Sequence, residues 1–372
     1  MDPSLLTSPA FWSDPVPAVA GSFPGVLPDD PRLSGHVLFE TSGSSGNPKW
    51  IALSKQALQA SAAAVNRHLE ISASSCWGLV LPLHHVGGFG VAARAFQAGC
   101  RLEAHEGRWD AASFASWVAD REITHTSLVP TQVHDLVAGG HRAPSCITAI
   151  VVGGGCLDEL TGCAARALGW PVLASYGMTE ACSQIATQKP FPLDVPYLPV
   201  PLPLLPIWQA QVGVDQRLLI SGSALFAGYI VRSDGRWIYQ PRAGEWFESA
   251  DRVMIGEGGL TPLGRADLLV KVLGELVDPE MIERELMEIS NGRLGYGMLA
   301  VVAMPDARAE HVLVPVFEAG VDPESIRYIL NEYHLRAPGF RRLRAAVVLT
   351  SIPRSPLGKP RRAEIQRKIS GT

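Results

Sequence analysis

The sequence is poor in the features that mark the simplest protein classes. Its six cysteines, Cys76, Cys100, Cys146, Cys156, Cys163 and Cys182, include no C-x-x-C pair. That spacing argues against a zinc ribbon or a disulfide framework and fits idle thiols in a reducing compartment. An excess of one charge is lacking too: 32 Lys and Arg face 36 Asp and Glu, a net charge of −4. Such a balance leaves no electrostatic footprint for nucleic acid, and none is expected as a partner. Arginines gather only near the C-terminus, at Arg341, Arg342, Arg344, Arg361 and Arg362, where a solvated surface accounts for most of them. No apolar run is long enough to span a bilayer, and Met1-Asp2-Pro3-Ser4 lacks the basic start of a secretory signal. A cytoplasmic protein without membrane insertion is expected.

What is present points to a folded chain of about two domains. Hydrophobic residues make up 47% of the 372 positions and charged residues 18%, enough to bury large cores. Residues 1–35 carry seven prolines and read as an irregular lead-in. From Val37 to about Tyr176, short apolar runs alternate with Ala-rich amphipathic segments. The runs are Gly78–Leu81, Ile147–Val152 and Val172–Ala174; the segments include Ala111–Arg121 and Leu157–Leu168. This pattern predicts an α/β fold with a largely parallel sheet. Seven prolines between Pro190 and Pro206 read as a connecting segment, although a polyproline ligand is the competing reading. A β-rich part follows at about 208–263, then a compact α+β segment with helices near 279–289 and 323–334.

The stretch Thr41-Ser42-Gly43-Ser44-Ser45-Gly46-Asn47-Pro48-Lys49 is glycine, hydroxyl or lysine at seven of nine positions. Glycines let backbone N–H groups approach a phosphate closely, hydroxyls add donors, and Lys49 adds a mobile positive charge. His36–Phe39 reads as a strand before it and Ser54–Ala64 as a helix after it. A Walker-type loop is ruled out, because Gly46 is followed by Asn47-Pro48-Lys49-Trp50 and Pro48 blocks a helix across the lysine.

The order Thr-Ser-Gly-Ser-Ser-Gly-x-Pro-Lys instead resembles the phosphate loop of the adenylate-forming superfamily, the AMP-dependent acyl-CoA synthetases and their relatives. Further resemblances recur in the family's order. Ser175-Tyr176-Gly177-Met178-Thr179-Glu180 is similar to the Tyr-Gly-x-Thr-Glu turn. The resemblance implies adenine stacking at Tyr176, a phosphate contact at Thr179 and a hard oxygen for Mg²⁺ at Glu180. Gly153-Gly154-Gly155 resembles the glycine turn beside adenine, and a tight strand-to-helix turn explains it equally well. Asp251 matches the aspartate that accepts from the ribose hydroxyls, and Arg265 the ribose-contacting arginine. Asp267 matches the hinge between the family's two domains, with Leu268 in place of the usual second polar residue. Lys271 and Gly274 lie in a run similar to the one lining the family's pantetheine tunnel. Pro353-Arg354-Ser355-Pro356-Leu357-Gly358-Lys359 resembles the C-terminal motif whose lysine bridges the substrate carboxylate and the α-phosphate.

Between these motifs, Leu81-Pro82-Leu83-His84-His85-Val86-Gly87-Gly88-Phe89-Gly90 and His125–Gln132 resemble the acyl-pocket segments of o-succinylbenzoate–CoA ligases in menaquinone biosynthesis. That substrate carries two carboxylates, of which one reacts. The other calls for a forked donor, for which Arg94 is the candidate. His85 is expected near the reacting carboxyl, with Gly87 and Gly88 leaving room for a ring. Two departures stand out. Only some forty residues precede the phosphate loop, fewer than in the family, so a homodimer covering the shortened region is one expectation. Trp50 replaces a residue that is usually glycine, and its bulk is expected to alter the loop's outer wall.

The resemblance implies a large adenylate-forming α/β domain over residues 1–266, with a β-rich part at about 208–263. A small mobile α+β domain over 267–372 completes it. It also implies two reactions: a carboxylate and Mg·ATP give an acyl-adenylate, then the small domain rotates and CoA thiol attacks. The expected co-substrates are ATP and CoA, the expected ion Mg²⁺, and the expected partner a small-molecule carboxylate. Two alternatives stay open. One is an adenylating enzyme that transfers to an amine or a carrier-protein thiol. The other is a catalytically weak nucleotide-binding relative.

Overall fold

A computed structural model describes residues 1–41, 49–355 and 358–371. The chain opens with α1 (Pro3–Leu6), α2 (Pro9–Ser13), β1 (Ala18–Val19), β2 (His36–Thr41), β3 (Lys49–Ser54) and α3 (Lys55–His68). Next come β4 (Cys76–Leu79), α4 (Val86–Ala98), β5 (Arg101–Ala104), α5 (Ala111–Asp120), β6 (His125–Leu128) and α6 (Pro130–Ala138). After β7 (Ala149–Val152), α7 (Glu159–Ala167), β8 (Val172–Met178) and β9 (Ser183–Thr187), a run of strands follows, interrupted by one 3₁₀ turn at Val214–Gln216. These are β10 (Trp208–Val212), β11 (Arg217–Gly222), β12 (Gly228–Ser233), β13 (Arg236–Pro241), β14 (Phe247–Gly256) and β15 (Gly259–Arg265). The chain ends with β16 (Val270–Val272), β17 (Glu275–Val277), α8 (Pro279–Ser290), β18 (Leu299–Asp306), β19 (Glu310–Glu318), α9 (Pro323–Arg336), β20 (Val347–Leu349) and α10 (Arg362–Ser370).

Two compact units emerge. The first comprises Met1–Gly213, Leu218–Ser249 and Met254–Thr261; the second comprises Val214–Arg217, Ala250–Val253 and Pro262–Thr372. In the first unit a six-stranded sheet runs β5-β4-β6-β7-β8-β9, parallel from β5 through β8 and antiparallel only at β9. The βα order dictates this, since parallel neighbours need helical crossovers. All residues of β4, β6 and β7 are buried, as expected for strands covered on both faces. Among the described residues no helix is long and apolar enough to cross a membrane.

Three regions depart from the sequence reading. The proline-rich lead-in is ordered: Pro3, Pro9 and Pro31 each open a helical turn behind the caps Asp2, Ser8 and Asp30. Proline fits the first helical position, where its missing N–H would be unpaired anyway. Leu6 and Leu33 are fully buried, and Trp12 stacks on Phe96 of α4 at 5.2 Å. The glycine-rich stretch joins two antiparallel strands, with Thr41 paired to Lys49; the unexpected element is β3, and the helix expected over Ser54–Ala64 follows it as α3 with Ser54 as its cap. Trp50 does not form an outer wall. It lies in β3 with no exposed surface, edge-on to Phe23 at 4.9 Å and packed with Leu38, Ile230 and Tyr239.

The β-rich part is not one layer either. Strands β12 and β13 join the first hairpin in the order β1-β2-β3-β12-β13, while β10, β11, β14 and β15 form a sheet of their own. In the second unit, β17-β16-β19-β18 form an antiparallel sheet, with β20 parallel to β19. Helix α8 contributes Ile282 and Leu286, one turn apart and fully buried, to its core beside Phe317 and Ile329.

Candidate active site

Ligands of open parallel sheets bind beyond the carboxyl ends of the strands. Four of the expected segments stand there in the first unit. His85 follows β4, the Ser127-Leu128 end belongs to β6, Gly153–Gly155 follow β7, and Ser175–Met178 end β8. The backbone at that edge leaves little freedom. A Cβ built on Gly177 would stand 1.5 Å from the Ser183 carbonyl oxygen, so only glycine fits. Gly154 has φ +77°, in the left-handed region, and the Gly153 N–H donates to Leu128 O at 3.1 Å. Ser175 Oγ and Thr187 Oγ1 are hydrogen-bonded at 2.9 Å, tying β8 to β9. Tyr176, Thr179 and Glu180 are half-buried, Thr179 and Glu180 on a single 3₁₀ turn.

The phosphate-loop residues Ser42, Gly43, Ser44, Ser45 and Gly46 lie outside the described residues. Their flanks do not. Thr41 Oγ1 donates to the Lys49 carbonyl at 3.1 Å across the hairpin, and Lys49 Nζ sits 5.8 Å from the centre of the Tyr229 ring. Burial, with the Glu180 carboxylate nearby, pushes the Tyr229 hydroxyl well above its ordinary range. The Glu180 carbonyl accepts from Phe226 N at 2.8 Å. Lys49 and Glu180 therefore meet at β12 around one phenol, which stays protonated as a donor. The sequence reading missed Tyr229; an aromatic directly after Gly228 in a strand was the available signal.

On the acyl side, His85 is the N-cap residue of α4, and its ring lies 4.3 Å from that of His84. Gly88 is required for packing, because a Cβ there would come within 2.4 Å of the Leu81 and Pro82 carbonyl oxygens. Gly87 is less tightly confined, its nearest neighbour being Leu81 Cδ1 at 3.6 Å. Arg94 is only 2% exposed. Its Nη1 donates to Ser127 Oγ at 3.2 Å, and its guanidinium lies over Trp77 at 5.2 Å. Burial lowers its pKa to about 10, which leaves it charged at neutral pH. Among the described residues Arg94 has no acidic partner, an unusual state for a buried cation.

In the second unit three expected residues come together. Arg265 grips Asp267 with two donors, at 2.8 and 2.7 Å, and gives a third to Asp251 at 3.0 Å. Lys271 and Gly274 belong to the β16–β17 hairpin, whose turn is Leu273-Gly274 with φ +52° and +85°. Consecutive positive φ angles match the strand twist of a two-residue hairpin, which accounts for the glycine. Lys359 is exposed on a turn closed by Ser355 N donating to Lys359 O at 2.8 Å. Pro356 and Leu357 of that turn lie outside the described residues.

Residues 31–230 match the family of AMP-binding enzymes. The chain belongs to that family. This AMP-binding enzyme is 26% identical over 350 residues to the 2-succinylbenzoate–CoA ligase of Enterococcus faecalis, covering 89% of this chain and 69% of that protein. It is 33% identical over 245 residues to the Salmonella typhimurium protein of the same name, covering 66% and 50%, and 30% identical over 287 residues to that of Escherichia coli, covering 77% and 58%. The chain thus spans between half and about two-thirds of the length of these curated relatives. Among solved structures it matches an Escherichia coli MenE variant with bound OSB-AMS, at TM-score 0.71 and 25% identity, over 90% of this chain and 68% of that one. It shares its fold with Bacillus subtilis o-succinylbenzoate CoA synthetase, solved with the acyl-adenylate OSB-AMP, at TM-score 0.74 and 23% identity, over 89% and 68%.

The donor set of this AMP-binding enzyme suits the expected ion. Among the described residues no cluster of three His, Cys, Asp or Glu could hold a metal alone. Magnesium asks for less, because it is commonly held by one or two carboxylates with substrate phosphates and water completing the shell. Glu180 would supply that carboxylate.

Proposed function

We propose that this AMP-binding enzyme is an AMP-forming acid–CoA ligase that converts o-succinylbenzoate to its CoA thioester. The observation that carries the substrate is Arg94. A buried guanidinium without a carboxylate partner is costly unless an anion reaches it, and o-succinylbenzoate brings a second carboxylate that does not react. Arg94 lies nine residues along α4 from His85, roughly 14 Å at the 1.5 Å helical rise. The names borne by the curated relatives support the same reading.

In the first half-reaction a carboxylate oxygen attacks the α-phosphorus of ATP, the bond to the β-phosphate breaks and pyrophosphate leaves. Two anions approach and charge grows on phosphate oxygens, so the chain's task is electrostatic. Lys49 and the phosphate loop hold the polyphosphate, Thr179 donates to phosphate, and Glu180 holds Mg²⁺, which neutralises phosphate charge when bound. Tyr176 and Gly153–Gly155 receive adenine, and Asp251 with Arg265 receives ribose. Lys359 bridges the carboxylate and the α-phosphate. In the second half-reaction the thiol of CoA, having lost its proton, attacks the acyl carbon and AMP departs. The hairpin of Lys271 and Gly274 receives the pantetheine arm, and Asp267 serves as the hinge.

Incubation of the purified protein with Mg·ATP, CoA and o-succinylbenzoate should yield o-succinylbenzoyl-CoA by mass spectrometry. Pyrophosphate release with other acids but not with this one would remove the substrate assignment and leave the ligase. Replacing CoA with amines or a carrier-protein thiol tests the acceptor in the same assay, and analytical ultracentrifugation of the sample reads out the expected homodimer.

A further inference from the structure

Lys359 can act only if its turn is held still, because a long flexible side chain inherits any displacement of its backbone. The described residues of that turn are tied to one another. Arg361 N donates to Pro353 O at 2.8 Å, Gly358 N to Ser355 O at 2.8 Å, and Lys359 N to Ser355 Oγ at 3.2 Å. Each leg then ends in an arginine that reaches the same strand. On the incoming leg, Arg354 Nη1 donates to Gly358 O at 2.7 Å, and its Nη2 donates to Leu299 O of β18 at 3.2 Å and to Gly297 O. On the outgoing leg, Arg362 Nε donates to Val301 O, two residues further along β18, at 3.3 Å.

Arg362 differs from Arg354 in having carboxylate partners. Its Nη2 donates to Glu283 Oε1 at 2.7 Å and its Nη1 to Glu280 Oε1 at 3.3 Å, both from α8. The same Glu283 oxygen accepts from Val301 N at 2.7 Å, so one carboxylate joins helix, strand and arginine. Both side chains of the pair are largely buried, 17% exposed for Arg362 and 18% for Glu283. The location is otherwise a poor one for an arginine. Arg362 occupies the first position of α10, where the helix dipole disfavours a cation, and no side chain caps that end. Glu283 offsets this, and without it Arg362 would be left as a buried charge answered by Glu280 and, more weakly, by Asp278.

We propose that Glu283 and Arg362 are positioning residues for Lys359, fixing the outgoing leg of its turn to α8 and β18 so that the lysine serves the adenylation half-reaction. This inference rests on the ligase reading above and sharpens it: the pair acts on one half-reaction only. A loss of position of about 1 Å at a reacting group costs on the order of 10²-fold in rate. Thioesterification, which does not use Lys359, is spared.

The test measures both halves in Glu283→Gln and Arg362→Gln. Pyrophosphate exchange with o-succinylbenzoate should fall at least ~10-fold through kcat with the KM for ATP little changed, while CoA thioester formation from supplied acyl-adenylate stays within about twofold. Arg362→Lys, which keeps the charge, should recover part of the exchange. The double variant Glu283→Leu with Arg362→Met guards against simple unfolding, since volume-matched apolar residues often replace a buried ion pair without loss of stability. It should remain folded by circular dichroism, make thioester, and still exchange poorly. Restored exchange in that double variant, or equal loss of both halves in the single variants, would show a merely structural pair and overturn the inference. A wild-type protein inactive in both halves would instead sink the ligase reading, and the role of the pair with it.

Discussion

The two units hold their site residues by different physical means. In the first, position is set by backbone contact: Gly177 against Ser183, Gly88 against Leu81 and Pro82, and Gly154 in the left-handed region. In the second, it is set by charged forks: Arg265 between two aspartates, Arg354 on three carbonyl oxygens, and Arg362 between α8 and β18. A site built on close backbone contact tolerates no added methyl group but is indifferent to charge. A site built on forks tolerates volume and fails when a donor or acceptor is lost.

The largest test of that contrast is Gly177→Ala. The added Cβ would collide with a carbonyl oxygen, so β8 and β9 must part, at or beyond the upper end of the ~1–3 kcal/mol typical of overpacking. Both half-reactions should disappear together, and thermal denaturation should show the loss. A variant with normal melting and normal exchange would contradict the close-contact account of the first unit.

Acid should separate the units next. His125 of β6 is 7% exposed, and burial lowers its pKa to about 4 from the ordinary 6.5. Below pH 6.5 the unfolded chain takes up a proton that the folded chain refuses until about pH 4. Stability therefore falls as pH drops through that window, by about 3 kcal/mol in total, and is fully present above it. Urea titrations between pH 7 and 4 should show this slope, and His125→Asn should flatten it. A slope unchanged in the variant would place the acid sensitivity elsewhere.

The smallest of the three effects is the most selective. Lys359→Ala should lower pyrophosphate exchange by about 10²-fold, as expected for a lost charge-stabilising donor. Thioester formation from supplied acyl-adenylate should persist. Equal loss of both halves would break the division of labour between the Lys359 turn and the Gly274 hairpin.

Much of the molecule was legible in its sequence because the signals were local. The alternation between 37 and 176 gives the parallel sheet, whose strands share their βα connections with their neighbours. The helix expected near 279–289 is Pro279–Ser290, opened by Pro279 behind the Asp278 cap. Pairing between distant segments was not legible. Nothing in Trp50-Ile51-Ala52-Leu53 states that a strand near residue 230 will lie beside it. Trp50 was misplaced for the same reason: its pocket is completed by Ile230 and Tyr239. The partners of Arg94 and Arg362, Ser127 and Glu283, are separated from them by 33 and 79 residues, beyond what spacing can connect.

The pairing of β3 with β12 also sets a clock. Trp50 is opposite Ile230, so the strand that carries Lys49 waits for chain made 180 residues later. At ribosomal speeds of about 5–20 residues per second, that interval is roughly 10–40 s. Through it, the hairpin presents one unpaired edge and an indole that has Phe23 and Leu38 beside it but still lacks Ile230 and Tyr239, a combination that invites association with other chains. The β2–β3 hairpin is thus begun early and finished late. Its yield in a cell should depend on what shelters the nascent chain meanwhile.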